Sequence, residues 1–138
     1  MTIASAVCSS FKTEVLRAIH NFTQGGNEFK LALYVSSANL GATTTAYATN
    51  PGGGGNTEVA NGNGYTTKGA ALTNVTPALD GTTACCDFAD ISFTSASFTA
   101  NGCLIYNETA NGDPAVCTIA FGGDKTVSSG TFTIQFPA

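Results

Sequence analysis

The 138-residue chain has no tryptophan, one histidine and few charges, with five basic and nine acidic residues. Charged side chains make up 10% of it, against about 25% in an ordinary soluble protein. Hydroxyls, amides and small side chains must therefore form most of the surface. The basic residues stand singly and the formal net charge is −4. That argues against a nucleic-acid partner, because phosphate binding needs clustered Lys and Arg. No stretch reaches the roughly 18 consecutive apolar residues of a membrane span, so no membrane partner is expected. The opening "MTIASAVCSSFKTEV" lacks a basic start and a continuous apolar run, so it does not read as a signal peptide. Folding in a reducing cytosol is expected, and five cysteines without framework spacing speak against a disulfide scaffold.

The length suits one domain, and residues 1–138 are read as such. Val7, Phe11, Val15, Ala18 and Phe22 recur at helical spacing, with Leu16 and Ile19 widening the stripe. One amphipathic helix over about residues 4–22 is predicted, started by Ser5 or Ser9, stopped by Gly25-Gly26, and docked on a sheet. From there the period becomes two over a β-rich body at about residues 29–138. Phe29–Val35 reads as a strand with Phe29, Leu31, Leu33 and Val35 on one face. Further strands are predicted at Tyr65–Val75, Thr83–Phe93, Ser97–Tyr106, Ala115–Phe121 and Thr131–Phe136. Asp80-Gly81 and Asn111-Gly112 supply tight turns, and Asn101-Gly102, inside an apolar run, reads as a bulge. The fold class is mainly β: an antiparallel sandwich or barrel with the helix packed on it.

Several residues could carry chemistry. In "TTACCDFADISF", Cys85 and Cys86 are adjacent, so on a strand they face opposite ways and cannot share one ion. Cys86 is expected to pack inward beside Phe88, with Cys85 facing away; Cys8, Cys103 and Cys117 stand alone. Asp87 and Asp90, three positions apart, also face opposite sides and read as solvated strand-end carboxylates rather than an acid/base pair. His20 is explained by the favourable placing of an imidazolium at a helix C-terminus. Cys8 and Ser9 lie too far along the helix to pair with it. "NPGGGGN" (50–56) lacks the GK[ST] of a phosphate loop. The sequons at Asn21, Asn74 and Asn107 carry little meaning without a secretion signal. No residue is assigned a catalytic, cofactor-binding or metal-binding role, and no enzyme or cofactor is expected. The stretch Ala48–Gly64, rich in glycine and poor in apolar groups, reads as a mobile coil that orders against a neighbouring subunit.

Five blocks, in order, carry a resemblance: "VCSSFKTEVLRAIHNF", "FKLALYVSSANLGATTTAY", "GYTTKGAALTNV", "DFADISFTSASFTANGCLIYN" and "FGGDKTVSSGTFTIQFP". Together they resemble a family of small tailed-bacteriophage virion structural proteins. "ANGCLIYN" and the closing "TIQFP" are the most recognisable parts. The resemblance brings no catalytic residues. It implies that relatives carry an aromatic and a β-branched residue where Cys85-Cys86 stand. It also implies a virion component made in the bacterial host cytoplasm and present in many copies or as a homo-oligomer. The expected role is a capsid decoration or cement protein bound to the major capsid protein. The alternative is a tail, neck or baseplate component such as a fibre-attachment module. A glycan-binding module is less favoured, since it wants an aromatic platform and the four tyrosines are scattered in sequence.

Overall fold

Two long stretches of alternating character flank "ETANGDP", and they pair into one antiparallel hairpin. In the computed structural model, which describes residues 2–137, these are β6 (Ile91–Asn107) and β7 (Ala115–Ile134). Their register runs from Tyr106 opposite Ala115 to Ile91 opposite Ile134. The separate strands predicted at Ala115–Phe121 and Thr131–Phe136 are thus one continuous strand. The irregularity expected at Asn101-Gly102 is present, but the extra residues sit on the partner. Ala100 pairs with Lys125 and Gly102 with Ala120, so Phe121–Asp124 lie opposite Asn101 alone. Gly122 and Gly123 there have φ of 79° and 148°, conformations that side chains resist. Asn101 Nδ2 donates to Asp124 Oδ1 at 2.9 Å, fastening the two sides.

The hairpin folds back on itself across this bulge and a second irregularity around Ser95 and Ser129, each at φ 49°. Phe121 and Phe132 would stand about 36 Å apart in a straight strand, yet their ring centroids are 6.1 Å apart. One half of the hairpin carries β2 (Phe29–Tyr34), which pairs with Gly102–Asn107. The short strands β1 (Ala6–Val7) and β3 (Ala70–Ala71) complete the order β1-β7-β6-β2-β3. Phe29, Leu31 and Leu33 meet Cys103, Ile105, Phe93 and Tyr65 in the main core. Ala32 and Tyr34, on the opposite face of β2, are buried as well, against Leu40, Leu104 and Tyr106. The segment after β2 folds over that second face, so β2 is covered on both sides.

The helix is shorter than the periodicity predicts. It is α1, Ser9–Leu16, because Ala6 and Val7 instead pair with Thr118 and Cys117 at the edge of β7. It ends where Ala18 turns left-handed (φ 59°) and the Ile19 amide bonds the Glu14 carbonyl, well before the glycines expected to stop it. Leu16, assigned to the buried stripe, is 89% exposed, and Val15 is exposed too. Phe11 and Phe22 do reach the core, Phe22 stacking on Phe29 at 4.3 Å.

Two other predicted strands change their bounds. The run Tyr65–Val75 forms strand only at β3 and at the start of β4 (Asn74–Asp80). The run Thr83–Phe93 breaks at Ala89-Asp90, ending β5 (Thr83–Phe88) before β6 begins. β4 and β5 pair around Asp80-Gly81 as a separate two-stranded sheet. Only its base, Asn74 and Phe88, is buried, so the ribbon projects from the body.

Ala at position 122 or 123 must adopt a left-handed or strained backbone, and each substitution is expected to cost about 1–3 kcal/mol. Phe22→Ala should cost about 3 kcal/mol, whereas Leu16→Ala should stay within about 0.5 kcal/mol. Urea denaturation of the four variants checks this ranking; a Leu16→Ala loss as large as that of Phe22→Ala would contradict it.

Candidate functional site

The cysteines do not meet as a centre. Cys85 and Cys86 are both exposed on the projecting ribbon, which corrects the inward packing expected for Cys86. Alternation sets which neighbours share a face, and Cys86 does share that of Phe88, but the covering layer reaches only the base of the hairpin. All five thiols are free. Burial is the main cause raising the Cys8 thiol to about 11 and the Cys117 thiol to about 12, and it pushes Cys103 higher still. Thiols held protonated in this way are poor nucleophiles and ligands. Among the described residues no group of three His, Cys, Asp or Glu stands close enough to hold a metal ion. Asp87 Oδ1 accepts the Phe88 amide and Asp90 Oδ1 the Phe136 amide, so each carboxylate braces local backbone.

His20 does not sit at a helix end, since α1 stops at Leu16; its environment comes from packing. The side chain is fully buried, with Nε2 3.0 Å from Glu14 Oε1 and Nδ1 3.1 Å from Asn107 Nδ2. An amide nitrogen can only donate, so Nδ1 accepts and Nε2 carries the proton toward Glu14. Both ring nitrogens are engaged, which leaves none to activate a nucleophile. Asn107, also fully buried, accepts the amides of Thr109 and Ala110 and so folds the β6–β7 turn. That burial accounts for this asparagine without glycan attachment.

A second buried polar constellation lies in the stretch expected to be a mobile coil. Glu58, 5% exposed, accepts the Tyr47 hydroxyl at Oε1 (2.7 Å) and the Tyr65 hydroxyl at Oε2 (2.6 Å). The Lys68 amide also donates to Oε2 at 2.8 Å. Tyr65 accepts the Leu33 amide in turn, Tyr106 donates to the Lys68 carbonyl, and Tyr34 donates to that of Ala48. All four tyrosines thus converge, though they are far apart in sequence. The stretch Ala48–Gly64 is consequently not a free coil: Pro51, Thr57, Glu58 and Val59 are buried, and exposure is confined to Asn50, Gly52–Asn56 and Ala60–Gly64. The cluster offers no sugar platform. Tyr47, on the rim of a polar cleft of about 400 Å³, already stacks on Tyr106 and lies under Lys68 Nζ.

A second concavity is apolar. A groove of about 470 Å³ lies between β1 and α1 on one side and β5 on the other. Phe22, Ile105, Cys117 and Phe136 line it, and Asp87 is its one charged group. No helix among the described residues is long and apolar enough to cross a membrane. Neither family models, nor curated proteins, nor solved structures match this chain.

All four tyrosine hydroxyls are pushed well above their ordinary value of 10.0. Burial is the first cause throughout. The hydrogen bond to Glu58 adds to it for Tyr47 and Tyr65, and the charges of Glu58 and Glu108 for Tyr34 and Tyr106. A raised folded value means that the folded state keeps a proton the unfolded state releases. The linked stability is complete below the unfolded value and is lost as pH rises. Urea midpoints should therefore be little changed by these groups up to pH 9.0, the ordinary thiol value, and fall steeply above 10.0. Tyrosinate absorbance at alkaline pH should appear only with unfolding. A smooth titration near the ordinary value in folded protein would show the cluster to be open to solvent.

Proposed function

We propose that the chain is a non-enzymatic structural component of a tailed-phage particle, of the decoration or cement type, bound to the outer capsid surface. The observation that carries a binding role is how the chain divides its side chains. Buried Glu58, Tyr34, Tyr65, Tyr106 and His20 are spent on internal hydrogen bonds, while its exposed large apolar side chains are Val7, Val15, Leu16, Val75 and Leu79. The resemblance in sequence supplies the virion setting. A protein of this kind acts through binding energy alone: it bridges neighbouring capsid subunits and stabilises the assembled state by mass action. A surface of hydroxyls and amides with few charges suits many identical, extensively hydrogen-bonded contacts with the major capsid protein.

Copy number tests the proposal. Quantitative mass spectrometry of purified particles should find the chain in hundreds of copies, and particles lacking it should open at lower temperature. A count in the tens or fewer would favour the tail, neck or baseplate role instead.

A further inference from the structure

An open strand edge presents unpaired N–H and C=O groups that invite another strand, and native chains blunt such edges. Most edges of this fold are blunted. The main sheet ends in β1 and β3, each two residues long. β4 carries Pro77 and a register shift, and β5 carries Asp87. In the far half of the β6–β7 hairpin, the outer side of β6 is covered by the chain around Asn63-Gly64. The Ser97 amide donates to the Asn63 carbonyl, and a Cβ on Gly64 would stand 2.7 Å from Ala96 Cα.

The far half of β7 is the exception. β1 covers its outer edge at Cys117 and Thr118, and the Ser5 hydroxyl takes the Ala120 amide just beyond. From Phe121 to Ile134 the only strand partner among the described residues is β6, and no backbone hydrogen bond from another segment reaches this stretch. The alternate amides and carbonyls that point away from β6 are therefore open. Between Thr126 and Ile134 there is no charged residue and no proline. Two extra residues of β7 sit at Ser128-Ser129; from Gly130 to Ile134 any extra residue stands on β6 instead. Along that run Thr131 and Thr133 are exposed, while Phe132 and Ile134 are half-buried. The edge also opens onto an apolar notch of about 390 Å³, lined by Phe121, Lys125, Phe132, Thr133 and Ile134, all of them on β7.

We propose that β7 of one copy pairs antiparallel with β7 of a second copy along Gly130–Ile134, about a two-fold axis near Phe132. A two-fold sets an edge against itself, so any charge along it would meet its own kind. An edge of hydroxyls and apolar groups escapes that repulsion, which favours a second copy over a foreign strand. The two far halves become one four-stranded sheet, β6-β7-β7-β6. Thr131 of each copy lies across from Thr133 of the other on the exposed face, a favourable cross-strand pair. On the opposite face the two Phe132 rings are neighbours beside the notches, and Ile134 stands across from Gly130, where no side chain obstructs it.

Purified full-length chain tests this without any particle, by sedimentation velocity under reducing conditions from about 1 µM to about 1 mM. The expected result is a monomer–dimer equilibrium within that range, as suits a contact one strand wide. Amide hydrogen exchange at the two ends of the range locates the contact. Protection within Gly130–Ile134 should rise by about tenfold with concentration, while that of Cys103–Tyr106 stays unchanged. Thr131→Lys/Thr133→Lys and Thr131→Glu/Thr133→Glu, all at exposed positions, should each weaken self-association by about tenfold. Mixed in equal amounts, the two variants should form a heterodimer at least as tight as the parent dimer. A monomer at every concentration would overturn the proposal and leave the edge to a strand of a different protein. A dimer with unchanged exchange at Gly130–Ile134 would overturn it equally, as would lysine and glutamate variants that self-associate as well as they mix. Circular dichroism of each variant separates loss of association from loss of fold.

Discussion

Held straight, strands of 17 and 20 residues would run about 55–65 Å, and a two-stranded ribbon of that length has no core. The β6–β7 hairpin removes this difficulty by turning back over itself, across the bulge at Phe121–Asp124 and the irregularity at Ser95 and Ser129. The near half then carries β2, while Phe93, Phe98 and Phe132 of the far half close onto the same apolar cluster as Leu31 and Leu33. Two adjacent glycines at positive φ make the turn possible, and Asn101 bonded to Asp124 holds it. Every other element is placed by the two layers so formed. β1 finds an edge of β7, and Phe88 at the base of the β4–β5 hairpin finds Phe29 and Phe136.

The segments outside the sheet contain too little apolar surface to dock by hydrophobic burial alone. Buried polar hubs hold them instead. Glu58 ties the stretch after β2 to Tyr65, to the Lys68 backbone and, through Tyr65, to Leu33. Asn107 and His20 tie the chain after α1 to the β6–β7 turn. Hubs of this kind are unforgiving, since a buried partner left unpaired costs more than the bond contributed.

The strands were legible because alternation is local: Phe29–Tyr34, Cys103–Asn107 and the turn at Asp80-Gly81 follow from neighbours in sequence. The helix is shorter than its periodicity because Val7 and Phe22 fall on the stripe by spacing, yet Val7 pairs with β7 and Phe22 packs from beyond the helix end. Periodicity cannot register a competing sheet edge more than a hundred residues away. Cys86 is exposed for a related reason, since alternation fixes relative facing and not whether a face is covered. The tyrosine cluster left no pattern to read. Its members are brought together by β2, β6 and the glycine-bearing segment between them, and Glu58 sits where composition argues for solvent. Only the lone "TEV" amid glycines hinted at an anchored point.

If the bend makes both halves of the hairpin one cooperative body, native-state amide hydrogen exchange must show it. The amides of Cys103–Tyr106, and those of Ile91–Ala100 that bond to β7, should exchange through the same global opening. Their protection should agree within about tenfold and fall together as denaturant is added. Far-half amides exchanging about a thousandfold faster, while the near half stays protected, would contradict the account and make the folded-back half a loosely held flap.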